Sequence, residues 1–222
     1  MKTQKWFALI LSLGLAGTIA HAQFIKAVGL KAGVAISNIR LTDVTPINIS
    51  GHLYYPAYDT GNVVSPSITL FAKFLDSEHL GLQADLTYLR KGAGQTTEMH
   101  ETTINDPVGG GTVHEYTWEE NFQYLELAVA LQPRLPLGDL ALYAHLGPTA
   151  SYLLSVNNFV SIDRMDRFEI GYTLGLGAEL GHLLDSHLFV EARYAGDFSS
   201  FFEGDNAKLW NRSWIFVIGT TL

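Results

Sequence analysis

The sequence contains no cysteine among its 222 residues. This absence excludes disulfide bonds, thiolate metal sites and the attachment of a lipid to an N-terminal cysteine. Basic residues are also scarce, because 14 lysines and arginines stand against 22 aspartates and glutamates, and the net charge is −8. Such a chain lacks the basic stripe that neutralises nucleic-acid phosphates, so we expect no nucleic-acid partner.

Charged residues make up only 16% of the chain, whereas glycine (21), tyrosine (10) and phenylalanine (12) are abundant. This composition favours many strands with aromatic edges over a helical protein. After residue 22, no stretch of about 20 residues is free of charges and helix breakers. The nearest candidate, 137–160, contains Gly147 and Pro148 and alternates with a period of two, which argues against a helix.

The first residues are typical of an export signal. Two lysines form a basic start, residues 6–20 are apolar, and 20–22 is a small-x-small cleavage site. The alternative is a membrane anchor, but two glycines interrupt the run, and it is shorter than the roughly 20 residues that a spanning helix needs. We therefore predict a signal peptide over 1–22 and a single domain over 23–222.

The segment 122–132 shows the pattern that organises the domain. Its large apolar residues share one parity: Leu125, Leu127, Val129 and Leu131. Polar or small residues lie between them: Tyr124, Glu126, Ala128, Ala130 and Gln132. A period of two puts the sets on opposite faces of a strand. The same alternation resumes over 140–154, where the face opposite the leucines carries a histidine and a glycine, which favours a polar or tightly packed interior with lipid outside.

Eight segments alternate in this way. We predict strands at 26–39, 64–75, 80–89, 122–132, 140–154, 168–181, 188–195 and 213–222. Their connections are in turn long and short, with long ones at about 40–63, 91–120, 157–167 and 197–212. Seven aromatic residues lie towards the long-loop ends, where an interfacial belt is expected: Tyr88, Tyr152, Phe168, Tyr172, Tyr194, Phe198 and Trp214. The prediction is an all-β, eight-stranded antiparallel transmembrane β-barrel with long extracellular loops and short periplasmic turns, located in the outer membrane.

Five segments support this fold with a family likeness: 29–33 (GLKAG), 82–92 (LQADLTYLRKG), 124–127 (YLEL), 147–154 (GPTASYLL) and 171–179 (GYTLGLGAE). In this order and spacing they resemble the porin-like outer-membrane β-barrel family of Bacteroidota, which includes the PorT-type proteins. The resemblance implies an eight-stranded barrel of a Gram-negative envelope without catalytic residues. PorT-type members serve in protein secretion, and no motif separates that subgroup from the rest.

The strand assignment directs a set of titratable side chains into the barrel: Lys31, Lys73, Asp85, Glu126, His145, Glu179, Glu191 and Arg193. An eight-stranded barrel is just wide enough for its side chains to fill it, and an unpaired buried charge costs several kcal/mol. We therefore expect a connected salt-bridge plug. The alternative is a narrow or gated polar pore, although open channels generally belong to barrels with more strands.

Three other groups have weaker support. One predicted loop carries possible oxygen and imidazole ligands for a divalent cation, at Glu98, His100, Glu101, His114 and Glu115, but without a recognisable spacing. His182 and Ser186 suggest a hydrolase, but no third orienting group is evident. Aromatic residues of the outer loops offer a surface for sugars or protein, or simply loop packing: Tyr54, Tyr55, Tyr58, Tyr116, Trp118, Phe201, Phe202 and Trp210.

We accordingly expect no enzyme activity, no cofactor and no resident metal. The expected partners are outer-membrane lipid, the barrel-insertion machinery and other envelope or secretion proteins. The predicted function is a structural or interaction role through the extracellular loops, and the alternative is a narrow porin-like channel for small solutes or ions.

Overall fold

The computed structural model describes residues 24–42, 47–49, 52–54, 61–100, 113–157, 165–183, 186–200, 202–204 and 207–222. Side chains are described over 24–40, 61–94, 120–157, 165–181, 188–200 and 208–222. The predicted signal peptide lies outside these ranges. Within them, no helix is long and apolar enough to cross a membrane.

The described chain is built from β-strands. In chain order they are β1 (Ala27–Thr42), β2 (Ile47–Ile49), β3 (His52–Tyr54), β4 (Val63–Asp76), β5 (Leu80–His100), β6 (Val113–Leu137), β7 (Leu140–Asn157), β8 (Phe168–Leu183), β9 (Ser186–Asp197), β10 (Phe202–Gly204) and β11 (Ala207–Thr221). Eight of them are the predicted strands. The short strands β2 and β3 form a separate hairpin, and β10 extends the sheet beside β11.

The eight long strands form a closed antiparallel barrel. Each pairs with the next in the order β1-β4-β5-β6-β7-β8-β9-β11, and β1 then pairs with β11 over Gly29 to Thr42. Each of these eight strands therefore has a paired neighbour on both sides, which is what a strand-built protein needs in hydrocarbon. Gly29 pairs with Thr221, so the first and last strands meet at the end of the barrel that carries the short turns.

The strands are longer than the sequence predicted. The residues assigned to the loop 91–120 belong largely to β5 and β6, which remain paired as far as His100 and Val113. The predicted loops 40–63 and 197–212 likewise contain the short strands and the start of β11. In these extensions the sequence no longer alternates between apolar and polar residues. A hairpin beyond the membrane can contact water on both faces, so its strands can pair without that alternation.

One end of the barrel is closed by tight turns. The strands leave only 77–79, 138–139 and 184–185 as connections there. Gly138 begins the two-residue turn between β6 and β7 with a φ of 70°, a backbone conformation that glycine adopts without a Cβ penalty. We call this the turn end and the opposite one the loop end.

Burial alternates along the eight long strands, over the part of each strand whose side chains are described, as predicted. In β4, for example, the serines, Thr69, Phe71 and Lys73 are buried, whereas Ile68 and Leu70 are more than half exposed. The exposed leucines, isoleucines and valines form a continuous outer surface suited to acyl chains. Aromatic rings cluster on this surface near the loop end. The ring centres of Tyr194 and Trp214 lie 5.2 Å apart, and those of Tyr172 and Phe198 lie 5.0 Å apart.

Candidate functional site

All eight predicted interior residues lie on the inner side of the barrel. Seven of them are buried, and Glu179 is partly exposed at the turn end. The structure distributes them over three levels along the barrel axis. We call these levels the central cluster, the mouth cluster at the turn end and the loop-side cluster.

The central cluster consists of Lys31, Asp85, His145, Glu191 and Arg193, contributed by four strands. Lys31 Nζ lies 3.0 Å from Asp85 Oδ2 and 3.3 Å from Glu191 Oε1. Arg193 contacts the same two carboxylates, with Nη1 at 2.7 Å from Asp85 Oδ2 and Nε at 2.8 Å from Glu191 Oε1. Two cations and two anions therefore form a square in which every charge has two opposite neighbours.

Neutral side chains complete the central cluster. Gln83 Nε2 donates to Asp85 Oδ1 at 2.7 Å, and the Tyr143 hydroxyl donates to Glu191 Oε2 at 3.0 Å. The Lys31 ammonium also lies 5.3 Å from the centre of the Phe71 ring and 5.4 Å from that of Phe189. These contacts stabilise charges that water no longer reaches.

Asp85, His145 and Glu191 lie close enough to suggest a metal centre, since each offers one ligand atom within 4.8 Å of the others. Their charge environment argues otherwise. Lys31 and Arg193 already bond both carboxylates, and a metal ion there would meet two fixed positive charges. The arrangement is that of an internal ion-pair network.

The mouth cluster closes the turn end. Lys73 Nζ lies 3.7 Å from Asp76 Oδ1 and 3.5 Å from Glu179 Oε1. Arg134 pairs with the same two carboxylates through its two terminal nitrogens. A cavity of only about 10 Å³ remains among these side chains, Gln83, Gln132, Tyr143 and Phe189. This is about the space of one water molecule.

The loop-side cluster contains Glu126 and four residues that the sequence analysis did not place in the network: Lys91, Glu169, Asp197 and Asn211. Lys91 Nζ lies 3.1 Å from Glu126 Oε2 and 3.6 Å from Asp197 Oδ1, with the Tyr124 ring 4.9 Å away. Ser151 donates to Glu126 at 2.9 Å, and Asn211 Nδ2 donates to Glu169 Oε2 at 3.1 Å.

Apolar side chains cover this cluster on the loop side. Ala93, Phe122 and Leu153 each lie two residues nearer the loop end than Lys91, Tyr124 and Ser151, and all three are buried. Ile39 and Met165 complete this apolar layer. The described interior is therefore filled from the turn end to the level of the layer.

The other sequence candidates are described only in part. Glu98 pairs with Glu115 and Met99 with His114 in the β5–β6 ladder, which corrects their assignment to a loop. His182 lies in β8 and Ser186 begins β9, so both belong to strands and not to the predicted turn. Glu101 and most aromatic loop candidates lie outside the described residues or have no described side chain. Trp210 has a described side chain and lies in β11.

The outer surface also carries a shallow depression of about 590 Å³. It is lined by lipid-facing residues such as Val34, Leu176 and Phe216. Its largely apolar lining and its place on the wall of the barrel fit an acyl chain of the surrounding membrane.

Comparison with solved structures places similar chains among bacterial outer-membrane proteins. The attachment invasion locus protein Ail of Yersinia pestis, solved with the heparin analogue sucrose octasulfate, is 15% identical, with a TM-score of 0.40 and coverage of 88% of this chain and 97% of Ail. Neisserial surface protein A is 11% identical, with a TM-score of 0.47 and coverage of 89% and 99%. The outer membrane protease OmpT of Escherichia coli is 9% identical, with a TM-score of 0.46 and coverage of 89% and 97%.

Comparison with curated proteins found no match. Among protein families, residues 7–220 match the one described as the outer membrane protein β-barrel domain. Since this match spans nearly the whole sequence, the chain belongs to the outer membrane protein β-barrel domain family and is a protein of the outer membrane.

Proposed function

We propose that this protein is a sealed barrel that does not conduct solutes and that acts through its extracellular loops. The observation that carries the proposal is the continuous filling of the interior by the mouth cluster, the central cluster, the loop-side cluster and the apolar layer. A cavity of about 10 Å³ at the turn end holds at most one water molecule. An ion that entered would also have to separate ion pairs whose charges are fully desolvated.

The orientation follows from the general rule for bacterial barrels, in which short turns face the periplasm and long loops face the exterior. On this rule the turn end is periplasmic, and the connections 43–62, 101–112, 158–167 and 198–206 are extracellular. Residues held on loops by a rigid scaffold are favourable positions for recognition. The expected partners are therefore other envelope or secretion proteins, besides the surrounding lipid and the insertion machinery.

The porin-like Bacteroidota family, with its PorT-type members, is the relationship we propose within the wider β-barrel family. Its support is the set of five sequence segments between Gly29 and Glu179. We also propose that residues 1–22 are removed as a signal peptide during export, on the basis of their basic start and small-x-small site.

Single-channel recording of refolded residues 23–222 in a planar lipid bilayer tests the sealed barrel. Folding is first verified in detergent gels, where the unheated, folded barrel and the heat-denatured protein should migrate at different positions. The expected result is that folded protein produces no channel current at any voltage. Steady, reproducible, ion-selective openings would overturn the proposal and make solute passage the working function.

Two variants distinguish a plug from a pore. Arg193→Ala removes a buried cation that contacts both central carboxylates, and it should reduce stability and introduce an irregular leak. In a working pore, the same change should mainly alter ion selectivity. Arg90→Ala is the matched control, because Arg90 lies on the outer face of β5. This substitution should not produce a channel current.

A further inference from the structure

The loop-side cluster contains more negative than positive charge. Among the described side chains of this level, Lys91 is the cation and Glu126, Glu169 and Asp197 are the carboxylates. Lys91 contacts Glu126 and Asp197, whereas Glu169 receives its hydrogen bond from the neutral amide of Asn211. One positive charge therefore faces three negative ones, which leaves this level with a net charge of −2, in contrast to the balanced central cluster.

Several oxygen atoms in the same place are buried without a hydrogen-bond partner. They are Glu169 Oε1, Asp197 Oδ2, Asn211 Oδ1 and Thr149 Oγ1. Glu169 is 0% exposed, Asn211 2% and Thr149 3%. Desolvating such atoms without a partner is unfavourable, more so for charged groups. All four are hard oxygen donors of the kind that calcium prefers.

Thr149 and Asp197 approach each other beside Gly171. The β-ladders place Gly171 beside Thr149 of β7 and beside Asp197 of β9. A Cβ atom on Gly171 would lie 2.8 Å from Asp197 Oδ1 and 2.9 Å from Thr149 Oγ1. Glu169 lies on the same face of β8, two residues nearer the loop end, and contacts Asp197. Glycine at this position thus lets oxygen donors of three strands approach one another closely, because a Cβ atom would also lie 2.4 Å from the backbone oxygen of Gly196.

We propose that these unpartnered oxygens bind one calcium ion, which lies between the carboxylates of Glu169 and Asp197, with the Asn211 amide oxygen and the Thr149 hydroxyl as neutral ligands. The two unbalanced negative charges match a divalent cation. Calcium accepts irregular sets of carboxylate, amide and hydroxyl oxygens, whereas magnesium requires a near-ideal octahedron and retains its water. The site does not depend on whether the lumen conducts, because its ligands are side chains of four neighbouring strands of the barrel wall.

A hollow of about 260 Å³ gives this site a connection to the outside. Asp197 and Asn211 line its inner part, where β9 has ended and β11 continues towards the loop end. Arg40 and Arg212 line the same hollow, and their charge opposes the passage of a cation. We therefore expect calcium to enter most readily during folding, and experiments should supply it at that stage.

The test compares refolded residues 23–222 prepared with calcium, with magnesium or with the chelator EDTA. Equilibrium dialysis against radioactive calcium should find one ion per barrel, and the calcium form should unfold at a temperature several degrees above the EDTA form. Magnesium should produce a smaller shift. Glu169→Gln and Asp197→Asn should each weaken calcium binding by more than about tenfold and abolish the stabilisation.

Glu179→Gln is the matched control, because it removes one interior carboxylate from the mouth cluster and should leave calcium binding unchanged. Wild-type protein that binds no calcium would overturn the proposal even if the variants fail to fold. If calcium has no effect and the wild type, unlike Glu169→Gln, becomes more stable as the pH falls, a proton shared by Glu169 and Asp197 replaces the ion. Stabilisation by sodium equal to that by calcium would also contradict a divalent site.

Discussion

The central and loop-side clusters are both buried in the same barrel, yet their charges are compensated in different ways. In the central cluster, Lys31 and Arg193 each contact Asp85 and Glu191, so the charges cancel within the protein. In the loop-side cluster, Lys91 faces three carboxylates and several oxygens have no donor. A balanced cluster needs no further charge, whereas an unbalanced one would be stabilised by a cation from outside or by a proton.

The largest expected effect comes from breaking the balance of the central cluster. Asp85→Asn leaves Lys31 and Arg193 with one carboxylate between them, and we expect a loss of about 5 kcal/mol in the free energy of unfolding. Urea titration of the barrel in lipid vesicles, followed by tryptophan fluorescence, measures this loss. Adding Lys31→Met should recover part of it, because the charge count is then balanced again. A loss below about 1 kcal/mol would mean that water reaches the cluster.

A smaller effect is expected at the loop-side cluster, and it should depend on calcium. Lys91→Met removes the cation of that level and should cost about 3 kcal/mol in EDTA. The cost should shrink in calcium, because a divalent ion screens the remaining carboxylates. Lys31→Met, in the central cluster, is the comparison variant, and its cost should be the same with and without calcium. If calcium changed the stability cost of both lysine variants by the same amount, the two clusters would not differ in their need for a cation.

The neutral hydrogen bond to Glu191 should contribute less than either ion pair. Tyr143→Phe removes a donor at 3.0 Å from a buried carboxylate, and hydrogen bonds to charged groups contribute roughly 1.5–3 kcal/mol. We expect a loss of about 2 kcal/mol in the same unfolding assay. Tyr88→Phe, on the outer surface, is the control and should be neutral. An unchanged stability of Tyr143→Phe would show that water replaces the hydroxyl.

The central cluster could be anticipated from the sequence because all its members lie within strongly alternating segments. Once the strands are assigned, parity alone directs Lys31, Asp85 and Arg193 inwards. What parity does not give is register, which decides that these three residues from β1, β5 and β9 lie at one height. Their placement at one level follows from the strand pairings, and their mutual contacts follow from side-chain packing across the lumen.

The loop-side cluster was largely missed, for reasons that are physical. Lys91 and Asp197 continue the inward parity of their strands, but each lies beside a glycine, Gly92 or Gly196, and glycine is a signal for loops. Glu169 was on the inward set of 168–181, yet its partner Asn211 lies before the start of the predicted last strand. Strand pairing beyond the membrane does not require alternating hydrophobicity, so the sequence pattern ended before the strands did.

The smallest expected effect lies at the mouth cluster, which pairs charges as the central cluster does but at the edge of the barrel. The Asp76 side chain is 33% exposed and contacts Lys73 and Arg134, so water can replace it as a partner. Asp76→Asn should therefore cost less than about 1 kcal/mol, as exposed ion pairs generally do. This cost should fall further between about 0.1 M and 1 M salt, as the Debye length shortens from about 10 Å to 3 Å. Asp85→Asn should not respond to salt, because its partners are buried. If Asp76→Asn and Asp85→Asn lowered the free energy of unfolding by the same amount and with the same salt dependence, burial would not explain a difference between the central and mouth clusters.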